Sequence, residues 1–183
     1  YGPWWVVDGD RNMAVVDFTY NRPRPNDNDA PLKMSNHLDV PFYASDIVHT
    51  GGNYMTDGLG ISASTDIVYT ENSIPDEDVD SLMQDYYGID TYHVVADPND
   101  EYIDHIDCWG KYLSPSKLLI REVAQSHPQY DEIENVVDYF ENVTVNSDDP
   151  LLRTNRLKTL NLIVNTMNTV CLLYTSQSQR DLS

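Results

Sequence analysis

The chain has 183 residues, 40% of them hydrophobic, enough for one domain with a sizeable core and short for two. Its 30 acidic residues against 11 basic ones leave a formal charge of −19, which repels nucleic-acid phosphates and anionic membranes and either draws in cations or serves solubility alone. No apolar run approaches the ~20 residues of a membrane span, so neither nucleic acid nor membrane is expected as a partner.

In chain order, Trp4–Val7 and Met13–Tyr20 are β-rich runs around Asp8-Gly-Asp-Arg-Asn12, whose Asp-Gly reads as a hairpin loop. Asn21-Arg-Pro-Arg-Pro-Asn26 holds two prolines and is predicted as loop. Pro31–Leu38 reads as a short helix. Ile47–Met55 and Gly60–Thr70 read as strands around Thr56-Asp-Gly58, followed by an acidic helix start at Pro75 that runs to about Tyr87. Gly88 stops that helix, and Thr91–Val95 is predicted as a strand. A second unit repeats the order: strands at His105–Tyr112 and Lys117–Val123, then a helix over about Asp131–Glu141 with Ile133, Val136, Val137 and Phe140 on one face. Recurrence after roughly fifty residues points to repeated α/β units. Arg156–Val170 fits a helix or a hairpin, and the hairpin is favoured.

Chemistry concentrates in Glu101-Tyr-Ile-Asp-His-Ile-Asp-Cys-Trp-Gly-Lys111. On an extended backbone His105 and Asp107 share a face, where a carboxylate can hold a cation while the imidazole moves a proton. Cys108 and Asp104 then point the other way, which argues against Cys108 as the nucleophile paired with His105 and against a metal site built from Asp104, His105 and Asp107. The plainer alternative is a polar strand edge. Arg22 and Arg24, with Pro23 between them, can project to one side and hold an anion such as a carboxylate, or pair with Asp27 or Asp29. His49-Thr-Gly-Gly-Asn53 allows close backbone approach, though a bulge is the commoner use of paired glycines. Trp4 and Trp5 suit an aromatic guanidinium pocket or, more commonly, core packing.

Taken in order, "YGPWW", "VDFTYNRPR", "HTGGNYMTDG", "TENSIPDEDVDSLMQDYYGIDTYHV" and "EYIDHIDCWGKYLSPSKLLIREV" resemble the bacterial peptidylarginine deiminases of the Porphyromonas type, within the guanidine-modifying superfamily that also holds the agmatine deiminases. The resemblance is dense over residues 1 to about 145. It implies a pentein fold, a five-fold α/β propeller of ββαβ-type blades with about three present here, and it accounts for the repeat. It also implies deimination of arginine in peptides or proteins to citrulline through a cysteine nucleophile, with no cofactor and no metal. By the resemblance, His105 exchanges protons, Asp107 binds the guanidinium, Arg22 and Arg24 hold the carboxylate of a terminal arginine, and Tyr102 lies near that end of the substrate. A catalytic asparagine corresponds, with imperfect surroundings, to Asn161. A small-guanidine hydrolase of the agmatine deiminase kind, or a binding protein without catalysis, are the alternatives.

Two departures shape the expectation. The family's second guanidinium-binding aspartate would precede Tyr1, and its nucleophile would follow Val170, so the chain reads as an inactive fragment with its deiminase portion over 1–170. The run from Cys171 to Ser183 closely resembles a translated sequencing-library adapter and is expected to be a non-biological tail. Secretion is an expectation carried by the resemblance alone.

Overall fold

The structure is a computed structural model that describes residues 2–100, 102–114 and 117–146, with side chains to residue 143. The tail readings, Arg156–Val170 and Cys171–Ser183, lie outside the described residues. Among the described residues, no helix is long and apolar enough to cross a membrane.

Strands β1 (Trp4–Val7) and β2 (Met13–Tyr20) form the expected antiparallel hairpin, with Trp4 opposite Val16 and Val7 opposite Met13. The Asp8 carboxylate closes the turn by accepting from the backbone N–H of Asp10 at 2.9 Å and of Asn12 at 2.8 Å. The proline-rich segment predicted as loop contains a helical turn, α1 (Pro25–Asn28), because Pro25 takes the first helical position where its missing N–H costs nothing. Helix α2 (Ala30–Leu38) follows and ends at Asp39 in the left-handed conformation. Strand β3 (Phe42–His49) then runs parallel to β2, completing a three-stranded sheet.

Here the strand bounds differ from expectation. The strand predicted over Ile47–Met55 begins earlier and stops at His49; Gly51–Asn53 is a 3₁₀ turn, and β4 keeps only Met55–Thr56. Strand β5 (Ile61–Thr65) is likewise shorter than the predicted Gly60–Thr70. Residues Ile67–Glu71 form a helix, α3, although Ile-Val-Tyr-Thr has strand propensity. Tertiary bonds override that propensity: the Asn72 amide at its end accepts from Val48 N at 2.8 Å and donates to Val48 O at 2.9 Å, tying α3 to β3.

Helix α4 (Asp76–Tyr87) is acidic in its first turn and ends at Gly88, whose φ of 63° needs no Cβ. It returns the chain to β6 (Thr91–Val95), parallel to β5. Strand, antiparallel strand, helices and parallel strand thus occur twice in succession, in the sheets β1-β2-β3 and β4-β5-β6. A third unit opens with β7 (Gly110–Ser114) and β8 (Lys117–Ile120), followed by helix α5 (Tyr130–Asn146), longer than its apolar pattern predicted. Ile133, Val136 and Phe140 are buried as their spacing required.

Two cores stand behind these sheets. In the first, the ring of Trp4 meets Tyr54 edge-on at 4.3 Å and lies near Phe18 and Tyr87, so Trp4 serves packing while Trp5 stays 43% exposed. The second gathers Ile106 and Trp109 with Ile120 and the apolar face of α5.

Candidate active site

The C-terminal ends of β2, β3 and β5 point the same chemistry at one place. Beyond β2 comes Arg22, beyond β3 the Gly51–Asn53 turn, and at the end of β5 stands Thr65. Facing them is the segment that carries His105 and Asp107.

That segment is not the predicted strand. His105 is extended and caps a 3₁₀ turn over Ile106–Cys108, and β7 starts only at Gly110. The Asp-His-Ile-Asp alternation that suits a strand suits this turn as well, because Ile106 and Trp109 are the residues that go into the core. The pairing of His105 with Asp107 survives for another reason: both reach Gly52. A Cβ built on Gly52 would lie 2.7 Å from His105 Nδ1 and 3.0 Å from Asp107 Oδ2. The paired glycines therefore lie in a 3₁₀ turn rather than a bulge, and Gly52 lets backbone press against the imidazole and the carboxylate together.

His105 is buried, and burial first, then the charge of Arg22, lower its pKa to about 4. The imidazole is thus neutral at pH 7 and able to take a proton. Asp107 opens to solvent on one side and is backed by protein on the other. This partial desolvation raises its pKa, against the opposing pull of the Cys108 thiol and Lys111. A desolvated carboxylate gains from an incoming cation. Cys108 is exposed, and its thiol donates to Asp107 Oδ1 at 3.7 Å.

Arg22 and Arg24 part company. Arg24 makes a surface ion pair with Asp27 at 3.5 Å, while Arg22 is half-buried and within electrostatic reach of His105. Arg22 also faces Glu71, whose carboxyl is raised by burial and accepts from Asn21 Nδ2 at 2.8 Å. Tyr102 projects into solvent, 88% exposed. Asn161 lies outside the described residues.

Three more residues belong to this place: His49 and Asn53, which end the stretch read above only for its paired glycines, and Thr65, which the sequence reading did not single out. His49 is fully buried, ringed edge-on by Phe18 and Tyr54, and neither ring nitrogen has a hydrogen-bond partner among the described residues. Burial, then the neighbouring His105, lowers its pKa to about 3. Asn53 and Thr65 bond to the backbone on either side of His105, with Asn53 Oδ1 accepting from Ile106 N at 3.2 Å and from Thr65 N at 2.9 Å. The one sequence signal for any of them was the Gly-Gly pair.

Residues 1–164 match the profile of the family described as Porphyromonas-type peptidyl-arginine deiminase. The chain belongs to that family. Among curated relatives, proteins named for agmatine deiminase activity in Mycoplasma mycoides subsp. mycoides and Mycoplasma capricolum subsp. capricolum are each 26% identical over 160 residues, covering 77% of this chain and 43% of theirs. Among solved structures, the agmatine deiminase of Enterococcus faecalis superposes with a TM-score of 0.69 at 19% identity, over 81% of this chain and 45% of that one. An arginine deiminase structure from Porphyromonas gingivalis gives a TM-score of 0.64 at 17% identity, over 77% and 47% of the two chains. Such identities speak for the fold alone, the pentein fold of these neighbours. This peptidyl-arginine deiminase family member spans less than half the length of the relatives it matches.

Proposed function

We propose that this chain carries the proton-transfer and guanidinium-binding half of a deiminase that hydrolyses a guanidinium group to a ureido group and ammonia. The observation that carries the reading is the joint approach of His105 and Asp107 to Gly52. Asp107 would hold the guanidinium nitrogens by charge-assisted hydrogen bonds, and neutral His105 would take and return the protons as ammonia leaves. The five-fold propeller of the family would close around this half, and a cysteine thiolate elsewhere in the complete protein would attack the guanidinium carbon.

Two substrate classes fit. The names of the curated relatives support a small free guanidine such as agmatine. A specific observation keeps the second reading, a peptide ending in arginine: Arg22 stands within electrostatic reach of His105, where it could meet a carboxylate that agmatine lacks. The complete protein given each substrate in turn separates them. Ammonia from agmatine alone assigns the first class and from the terminal-arginine peptide alone the second; none from either overturns the proposal.

Within either class, Asp107→Asn should weaken guanidinium binding by about 1.5–3 kcal/mol, the worth of a hydrogen bond to a charged group. Calorimetric titration with the productive substrate checks this, and unchanged affinity would remove Asp107 from the binding role. For a terminal-arginine substrate, Arg22→Ala should impair peptides with a free carboxylate and spare their amidated forms. Equal losses on both would sink the carboxylate role.

A further inference from the structure

His105 is the residue on which the proposed chemistry turns, yet it sits in an irregular segment. It follows Asp104, held at a φ of 49° that non-glycine residues rarely adopt, and precedes a single 3₁₀ turn. Such a segment has no ladder of its own to fix it. The fixing comes from two side chains on other elements.

Asn53, fully buried, directs its Oδ1 at two backbone donors, Thr65 N at 2.9 Å and Ile106 N at 3.2 Å, while its Nδ2 donates to Thr65 O at 3.3 Å. This pattern assigns the amide's orientation, since the reverse would set NH₂ against two N–H groups. The Thr65 hydroxyl, also fully buried, lies between Asn53 Oδ1 and the carbonyl of Asp104. It has one proton to give. Because Asn53 Oδ1 already accepts two N–H bonds, that proton serves the Asp104 carbonyl.

We infer that Asn53 and Thr65 are positioning residues for His105. They pin the carbonyl before it and the N–H after it, so the imidazole is held against Gly52 from a backbone that cannot turn. The inference rests on the proposed deiminase reading for its effect on turnover, but not for the clamp itself. Both residues act through His105 and neither is asked to touch substrate. Orientation is where such a clamp would matter, because displacement of a reacting group by about 1 Å costs on the order of 10²-fold in rate.

The test compares wild type, Thr65→Val and Thr65→Ser in the full-length gene product. Valine keeps the shape and removes the hydroxyl; serine keeps the hydroxyl. Thr65→Val should lower kcat by about 10- to 100-fold while KM stays within about two-fold, and Thr65→Ser should recover most of it. Hydrogen exchange at the Ile106 amide, read by NMR, should speed up at least about ten-fold in Thr65→Val and stay slow in Thr65→Ser. Wild-type kcat in the valine variant, or a serine variant as impaired as valine, overturns the positioning role. If wild type turns over no guanidine, the deiminase reading fails by itself. The clamp is then decided by Ile106 exchange, where equal rates in all three proteins would overturn it.

Discussion

Replacing Gly52 by alanine is expected to cost the proposed reaction about 10²-fold in kcat/KM, the penalty for displacing catalytic groups by about 1 Å. The backbone itself tolerates the change, since Gly52 does not sit at a positive φ. The obstacle is the new methyl, 2.7 Å from His105 Nδ1 and 3.0 and 3.2 Å from the two carboxylate oxygens of Asp107. Asp107 opens to solvent and can swing aside, at the expense of the guanidinium-binding role proposed for it. His105 is buried and clamped and has little room, so the strain appears there as an overpacking cost of about 1–3 kcal/mol in stability. Gly9 provides the control: a Cβ there meets nothing within 4 Å and its φ is unexceptional, so Gly9→Ala should leave both activity and stability within about 0.5 kcal/mol of wild type. Steady-state kinetics and urea unfolding of the two variants side by side check this. Equal activity in Gly52→Ala and Gly9→Ala would mean that the contact between the two turns is incidental.

Acid should weaken the fold through its two buried histidines. His49 and His105 have folded-state pKa values of about 3 and about 4, both below the ordinary 6.5. As pH falls below 6.5 the unfolded chain therefore binds protons that the folded one refuses. The stability these groups contribute is complete above pH 6.5 and is lost as pH falls toward 4 for His105 and toward 3 for His49. Each fully refused proton costs about 1.4 kcal/mol per pH unit, so His49 alone should remove about 2 kcal/mol between pH 6.5 and pH 5. Asp17, Glu71, Asp104 and Asp107, all raised mainly by desolvation, act in the opposite sense, since the folded state takes up their protons first. The clean measurement is therefore differential. His49→Leu removes the titration together with two ring nitrogens that have no hydrogen-bond partner among the described residues, and its unfolding free energy should fall less steeply with acid than that of wild type, by about 1.4 kcal/mol per unit below pH 6. Parallel curves for the two proteins would show that folded His49 takes up protons between pH 6.5 and pH 5 as readily as the unfolded chain does, which would overturn the lowered folded-state pKa.

Much of the local structure was legible in the residues because its causes are local. The hairpin of β1 and β2 follows from an Asp-Gly loop whose Asp8 closes the turn by itself, and α4 ends where Gly88 accepts a left-handed φ. The buried face of α5 follows from the spacing of Ile133, Val136 and Phe140. The misread elements are those in which a short pattern serves two conformations. Ile67–Glu71 has strand propensity but is pinned as a helix by Asn72, and His105–Cys108 alternates like a strand but turns because Ile106 and Trp109 both enter the core.

The candidate site divides the same way. Sequence by itself determined which groups are present: an acidic chain with a histidine two residues from a carboxylate, a Gly-Gly pair, and two arginines spaced by a proline. Only the tertiary structure decided which of them meet. It brought Gly52 onto His105 and Asp107, left Arg22 within electrostatic reach of the imidazole while Arg24 paired with Asp27, and tied Ile106 to Asn53 across a separation of 53 residues. The physical reason is that a side-chain pattern fixes the face a segment presents, whereas the partner of that face is set by burial and hydrogen-bond satisfaction among segments distant in the chain.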